Sequence, residues 1–74
     1  IVIDWKAWGE AVTIRRRRRK LSQAELADQI GISRNFVSMI ERGVTIPSYA
    51  IVMSLCAALD VIEPEYQTTE EGET

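Results

Sequence analysis

The fold is decided by residues 21–43, which read LSQAELADQIGISRNFVSMIERG. Ser22 and Glu25 have the spacing of a capping box, in which a hydroxyl and a carboxylate satisfy free amides at a helix start. Gly31 follows the apolar positions of the first half and can adopt the left-handed conformation that ends a helix. The first half of the stretch therefore predicts a short helix with its own start and stop signals.

The second half of the stretch repeats these signals. Ser33 can cap a helix at its N-terminus, and Gly43 can end it. Only Gly31 and Ile32 separate this helix from the previous one. Two short helices joined by so tight a glycine-containing turn should cross steeply, as in a helix-turn-helix.

Helices are also predicted on both sides of this pair. Asp4 can cap a helix from Trp5 to Arg19, and Ser48 can cap one from Tyr49 to Leu59. Gly9 weakens the first of these helices, which would be explained by close packing of another backbone or of a tryptophan ring. Apolar residues at three- and four-residue spacing predict a core that comprises Trp5, Trp8, Val12, Leu26, Ile30, Val37, Ile40, Val52, Leu55 and Leu59.

The chain of 74 residues is long enough for one domain. We expect an all-α, compact four- to five-helix bundle over residues 4–62, followed at 63–74 by a short helical turn or a disordered acidic tail. Pro64 could open that turn over residues 63–67. No alternating strand pattern and no internal repeat is visible.

The net charge of −2 conceals an uneven distribution. Residues 15–42 carry eight basic side chains against three acidic ones, whereas residues 60–74 carry six acidic side chains and no basic one. A basic middle of this kind is typical of a surface that faces a polyanion. The run from Arg15 to Lys20 would also be compatible with nuclear localisation or RNA binding.

Catalytic chemistry is not indicated. The chain has no histidine and one cysteine, and it lacks a phosphate-cradling glycine loop or a carboxylate cluster at ligand spacing. We therefore expect no enzyme activity, no metal and no cofactor. Cys56 cannot form an intramolecular disulfide, which favours a reduced, cytoplasmic setting, and it is expected as a buried structural thiol. No apolar stretch is long enough to cross a membrane.

The spacing of several motifs matches a known family: Arg16, the stretch LSQAELA at 21–27, Gly31-Ile32-Ser33, Val37-Ser38, Ile40-Glu41-Arg42-Gly43, Pro47-Ser48 and the stretch from Leu55 to Val61. From about Val12 to Val61 the chain resembles the DNA-binding domain of the phage repressor/Cro (XRE) family. Residues 31–43 also resemble restriction-modification controller proteins. The sequence differs from the family pattern at Arg15, where an apolar residue is usual, and it lacks a fifth helix with a dimerisation segment.

The resemblance implies that the helix from Ser33 to Arg42 enters the major groove of double-stranded DNA and that the protein binds a palindromic operator as a homodimer. The residues that then fall at base edges are Arg34, Asn35, Ser38 and Met39. The residues expected at DNA phosphates are Gln23, Ser33, Arg42, Arg19, Lys20 and Thr45. Arg16 and Glu41 match an internal ion pair that braces the first helix against the third.

The base-edge assignments have alternatives, and for Arg34 the alternative is a solvated side chain without a DNA contact. Arg34 lies in the first turn of a helix, where positive charge opposes the helix dipole, so stability alone does not explain it. Arginine can contact guanine and asparagine can contact adenine, although Asn35 could instead bind a phosphate. Ser38 and Met39 could serve packing or the surface, and Phe36 could pack against the scaffold or touch DNA.

A different class of function also remains open. A domain of this fold can be a protein-interaction module, such as an antitoxin or coactivator domain. Such a module should expose an apolar patch, for example around Tyr49, Met53 and Ile62. A DNA-binding domain should instead gather Arg34, Arg42 and part of the basic run on one face.

Overall fold

The computed structural model describes residues 2–64 and 66–67. Within them, four helices follow one another along the chain: α1 Trp5–Arg18, α2 Gln23–Ile30, α3 Arg34–Arg42 and α4 Tyr49–Leu59. The predicted all-α helix-turn-helix architecture is confirmed. The first helix ends one residue earlier than predicted, at Arg18, and Arg19 is its C-cap.

The helix ends follow from local side-chain chemistry. The Asp4 carboxylate accepts from the Ala7 amide, which starts α1. In the capping box of α2, the Ser22 hydroxyl accepts from the Glu25 amide at 3.0 Å and the Glu25 carboxylate accepts from the Ser22 amide at 2.8 Å. Because both orphan amides are satisfied within four residues, α2 begins where the sequence predicts.

The turn between α2 and α3 is as tight as predicted. Gly31 has a φ of +77°, in the left-handed region that glycine enters without steric cost. Its amide and that of Ile32 both donate to the Ala27 carbonyl, at 2.8 and 3.1 Å. The Ser33 hydroxyl then accepts from the Phe36 amide and starts α3. Apart from Ile32, the turn thus consists of the residues that cap the two helices.

The segment after α4 differs from the sequence-based expectation. Pro64 does not open a further helical turn, since residues 61–64 have no regular secondary structure. A strand of two residues, β2 (Tyr66–Gln67), instead pairs antiparallel with β1 (Val2–Ile3). Strands this short carry no alternating pattern, so the sequence could not predict them. The predicted acidic tail at 68–74 lies outside the described residues.

The core lies between the four helices and comprises Trp8, Val12, Leu26, Ala27, Val37, Ile40, Val52, Leu55, Leu59 and Val61. Eight of these ten were predicted from helical spacing. Trp5 and Ile30 are half-buried at its margin, packed against the cluster. Cys56 is half-buried and packed against the same cluster, so the expectation of a buried structural thiol is met only in part.

The crossing of α1 and α3 depends on a glycine. A β-carbon at Gly9 would lie 2.3 Å from the carbonyl oxygen of Ile40 and 2.7 Å from that of Glu41. No side chain fits in that space, so the backbones of the two helices approach directly. Of the two explanations that the sequence left open for Gly9, backbone packing is the one that the structure shows.

Candidate nucleic-acid interface

The side chains of helix α3 differ between its buried side and its exposed side. Val37, Ile40 and Glu41 are buried on the side that faces the core. The opposite side presents Arg34 and Asn35, which are exposed, together with half-buried Ser38 and Met39 and exposed Arg42. Glu41 is the one acidic residue of the helix, and it points inward. The outward side is therefore cationic or neutral along its whole length.

The dimensions of this outward side suit a DNA groove. Arg34 and Arg42 mark its two ends, and an α-helix with its side chains is about 10–12 Å across. The major groove of B-form DNA is about 12 Å wide and admits an α-helix. The four residues predicted at base edges are thus together on one accessible helix side.

Asn35 and Met39 form one local contact on this surface. The Asn35 amide Nδ2 donates to the Met39 sulfur at 3.6 Å in an exposed position. A thioether is a weak acceptor, so a base or phosphate oxygen can replace it at little cost. Among the described residues, none accepts a hydrogen bond from the Arg34 guanidinium, which leaves its fork of donors available to a ligand.

Behind α3, the expected partners Arg16 and Glu41 form a buried ion pair. The Arg16 Nε donates to Glu41 Oε2 at 2.6 Å, and Nη2 donates to Oε1 at 3.2 Å. The exposed fractions of the two side chains are 10% and 6%. Arg16 Nη1 also donates to the Leu21 carbonyl at 2.8 Å. The pair thereby joins α1, the loop after it and α3.

Gln23, predicted at a phosphate, is part of the same network. It is the first residue of α2, and its Nε2 donates to Glu41 Oε1 at 2.9 Å. Its side chain is half-buried rather than free in solvent. The start of α2 is thus held against the C-terminal half of α3, next to Arg42. Sequence reasoning did not predict this contact.

The other predicted phosphate contacts on this side lie at the ends of α3. Ser33 is exposed, and its hydroxyl accepts from the Phe36 amide at 3.0 Å. A hydroxyl that accepts one hydrogen bond can still donate its proton to a phosphate. Thr45 is half-buried in the loop that follows Gly43, and Arg42 is exposed before it.

The sequence of this domain matches a known protein family. The family HTH_3, described as "Helix-turn-helix", matches residues 13–67 of the chain. The chain belongs to the HTH_3 helix-turn-helix family. The predicted resemblance to the XRE type of regulator is thereby confirmed, and with it the assignment of the chain as a DNA-binding regulator.

Several known proteins resemble this HTH_3 domain over most of its length. It is 35% identical over 78 residues to the "ImmF control region 10 kDa protein" of Bacillus phage phi105, with 96% of this chain and 84% of that protein covered. A structure of the restriction-modification controller protein C.AhdI from Aeromonas hydrophila is similar with a TM-score of 0.74 and 32% identity, and 81% of this chain and 87% of that one are covered.

A third similarity is to the clp gene regulator ClgR from Corynebacterium glutamicum. Its structure matches with a TM-score of 0.71 and 30% identity, and the match covers 76% of this chain and 60% of that one. The likeness to restriction-modification controller proteins that the sequence predicted is present in the fold through the similarity to C.AhdI.

The basic run of this HTH_3 domain does not form a single surface. Arg16 is buried at Glu41, and Arg15 is half-buried in a groove beside Ile62. Arg17 and Arg18 are exposed and have no ion-pair partner among the described residues. Successive side chains of an α-helix point in different directions, so these charges lie in several different surroundings.

The two remaining phosphate candidates lie at the end of α1. Arg19 Nη2 pairs with Asp60 Oδ2 at 2.7 Å, and both side chains are well exposed. This partner lies 41 residues away in sequence, and no local signal could have predicted it. Lys20 has a φ of +60°, an unusual value for a residue with a β-carbon. It is the residue that reverses the chain between α1 and α2.

None of the four helices is long and apolar enough to span a membrane, as far as the structure describes the chain. In the same residues, no group of three acidic or cysteine side chains is placed to bind a metal ion.

Proposed function

We propose that this domain is a repressor-type transcriptional regulator that binds a palindromic operator in double-stranded DNA as a homodimer. In this proposal, α3 enters the major groove, where Arg34, Asn35, Ser38 and Met39 contact base edges. The observation that carries it is the distribution of charge on α3. Its single carboxylate, Glu41, is buried and paired with Arg16, and both of its exposed charges are arginines.

Contacts to the DNA backbone are proposed on both sides of this helix. Arg42, Ser33 and Thr45 lie at its ends, and Gln23 is held beside it at the start of α2. Free amides at a helix N-terminus favour an anion, which supports the placement of Gln23 at a phosphate. Arg19 and Lys20 at the end of α1 are proposed to reach a further phosphate. For Arg19 that contact would compete with the ion pair to Asp60.

The regulatory role is supported by the proteins that resemble the chain. The names of these relatives describe a phage control region protein, a restriction-modification controller and a clp gene regulator. Each name refers to control, and all three proteins align over most of this domain. The lone cysteine agrees with a cytoplasmic setting for such a regulator.

Exposed apolar side chains are also present on and after α4, and we propose that they serve dimerisation. Tyr49 and Ile62 are 74% and 76% exposed, and Met53 lies half-buried on α4. Helix α4 contains no charged residue. Contact between two copies along α4 itself would bring no like charges together, whereas Asp60 and Glu63 lie exposed on either side of Ile62. If the domain bound only proteins, we would expect the apolar side chains without a cationic side on α3.

Selection of bound sequences from random duplex DNA, at two salt concentrations, tests the proposed function. We expect an inverted repeat whose half-sites lie about one helical turn, roughly 10 base pairs, apart. The affinity should fall steeply with salt, because each neutralised phosphate releases counterions. Footprinting that protects one asymmetric half-site at saturation would contradict the dimer. A pool without any enriched sequence would contradict specific recognition.

A further inference from the structure

The carboxylate of Glu41 accepts three side-chain hydrogen bonds, although an ion pair with Arg16 accounts for only two of them. The third comes from Gln23 Nε2, which lies 2.9 Å from Oε1, the same oxygen that accepts from Arg16 Nη2. The exposed fraction of the Glu41 side chain is 6%, so water does not satisfy it in place of these donors. Glu41 therefore has a structural partner on α1 and a second partner on α2.

The second partner lies where an anion would be bound. Gln23 is the first residue of α2, a helix of eight residues. The capping box uses the amides of Ser22 and Glu25, while the backbone amides of Gln23 and Ala24 have no acceptor among the described residues. Two free amides and the Gln23 side chain thus lie within one helical turn of each other.

The hydrogen bond to Glu41 determines how the Gln23 amide is presented. Its nitrogen carries two hydrogens, and one of them is committed to Oε1. Because the amide group is planar, this bond also sets the direction of the second hydrogen. In its absence, the terminal torsion of glutamine is broad and would leave both hydrogens without a defined direction.

The charge balance makes Glu41 suitable for this role. A lone carboxylate beside a phosphate-binding amide would repel the phosphate. Arg16 lies 2.6 Å from Oε2 and is itself buried, so the pair is neutral as a unit. Glu41 can therefore orient Gln23 without opposing a polyanion.

We propose that Glu41 is a positioning residue for DNA binding, which holds the Gln23 amide so that its free N–H donates to a DNA phosphate. The inference rests on the proposed function and deepens it. Since Glu41 belongs to α3, the same contact sets the position of the phosphate-binding amide relative to the base-reading residues. The distance along α3 from Arg34 to Glu41 is about 10 Å.

The first test uses the free protein. Side-chain ¹⁵N relaxation should show that the Gln23 amide is ordered, whereas the amide of Gln29, exposed in the same helix, is mobile. Replacing both ion-pair partners, Arg16→Met with Glu41→Met, removes the acceptor without leaving a buried charge unpaired. The order parameter of the Gln23 side-chain amide should then fall to the value found for Gln29. An unchanged order would overturn the inference.

The second test measures affinity for a duplex recovered by selection. Gln23→Ala should weaken binding about tenfold in the native chain, the value of one hydrogen bond to a charged group. In the Arg16→Met, Glu41→Met background the same substitution should cost less than about twofold. Gln29→Ala is the matched control and should change affinity in neither background.

Equal losses in both backgrounds would overturn the inference and leave the proposed function intact. A failure of the native chain to enrich any duplex would overturn the proposed function instead. If circular dichroism shows that the double variant does not fold, Glu41→Gln is the second background. That side chain keeps one acceptor oxygen for Arg16, and the Gln23→Ala loss should again shrink.

Discussion

Gly9 and Ile40 are packed so closely that a β-carbon on the glycine would lie 2.3 Å from the carbonyl oxygen of the isoleucine. The atom in the way belongs to the backbone of a helix and cannot rotate aside. Because Gly9 has no side chain, α3 can lie this close to α1. With Val37, Ile40 and Glu41 buried on the other side, the cationic side of α3 faces outward.

Gly9→Ala is therefore expected to destabilise the domain by about 3 kcal/mol, the upper range for overpacking, although alanine is the better helix former. Chemical denaturation monitored by circular dichroism measures the change. Gly31→Ala is the matched control, since a β-carbon there meets nothing within 4 Å and the cost is only that of a φ of +77°. Similar losses in both variants would contradict the argument from packing.

Arg34→Ala is expected to reduce affinity for the selected operator by about 1–3 kcal/mol and to relax the preference at one base pair. Arg17→Ala, which removes an exposed arginine from α1, should at most weaken binding to all sequences alike. Binding measured on a panel of operators with single substitutions separates these outcomes. A uniform loss for Arg34→Ala would place this side chain at a phosphate.

Lys20 adopts a φ of +60°, which costs an L-residue roughly 1 kcal/mol. Its amide donates to the Arg17 carbonyl at 2.9 Å and that of Leu21 to the Arg16 carbonyl, in the pattern of a Schellman motif, where the residue after the C-cap is usually glycine. Lys20→Gly should therefore raise the free energy of unfolding by up to about 1 kcal/mol.

The same variant should bind DNA less tightly, with a salt dependence reduced by about one phosphate contact. Thermal unfolding and titrations at several salt concentrations measure the two effects in one protein. Greater stability with unchanged affinity would show that Lys20 contacts no phosphate.

Burial raises the pKa of the Cys56 thiol above its ordinary value of 9.0, and the negative charge of Glu63 adds to the effect. Only the folded state raises the pKa of this thiol. The contribution of the protonated thiol to the stability of the fold is therefore fully present below the pKa of Cys56 in the unfolded chain. It is lost as the pH rises through the folded pKa. The midpoint of alkylation against pH should therefore lie higher in the native protein than in urea. Glu63→Gln should lower it, and equal midpoints in both states would contradict the shift.

Local signals predicted most of this fold. Ser22, Glu25 and Ser33 bond amides no more than three residues away, so the sequence contains both partners of each cap. Gly31 and Gly43 ended their helices as predicted for the same reason. The spacing of apolar residues likewise predicted eight of the ten core side chains.

Contacts between distant residues could not be predicted in this way. Trp8 Nε1 donates to the Ile62 carbonyl at 2.7 Å, and Arg19 pairs with Asp60. Neither contact has a signature in either segment alone. The ion pair of Arg16 and Glu41 was expected only through the family resemblance, and its link to Gln23 became visible only in three dimensions.

The pairing of Val2 with Gln67 has a mechanical consequence. Because β1 and β2 are antiparallel, tension applied from beyond these two residues would load the hydrogen bonds of the ribbon one after another, as in unzipping. Resistance to such a pull would then depend on the next tie between the two segments, the Trp8 indole at the Ile62 carbonyl. The helix-turn-helix would be reached by the force only after both had opened.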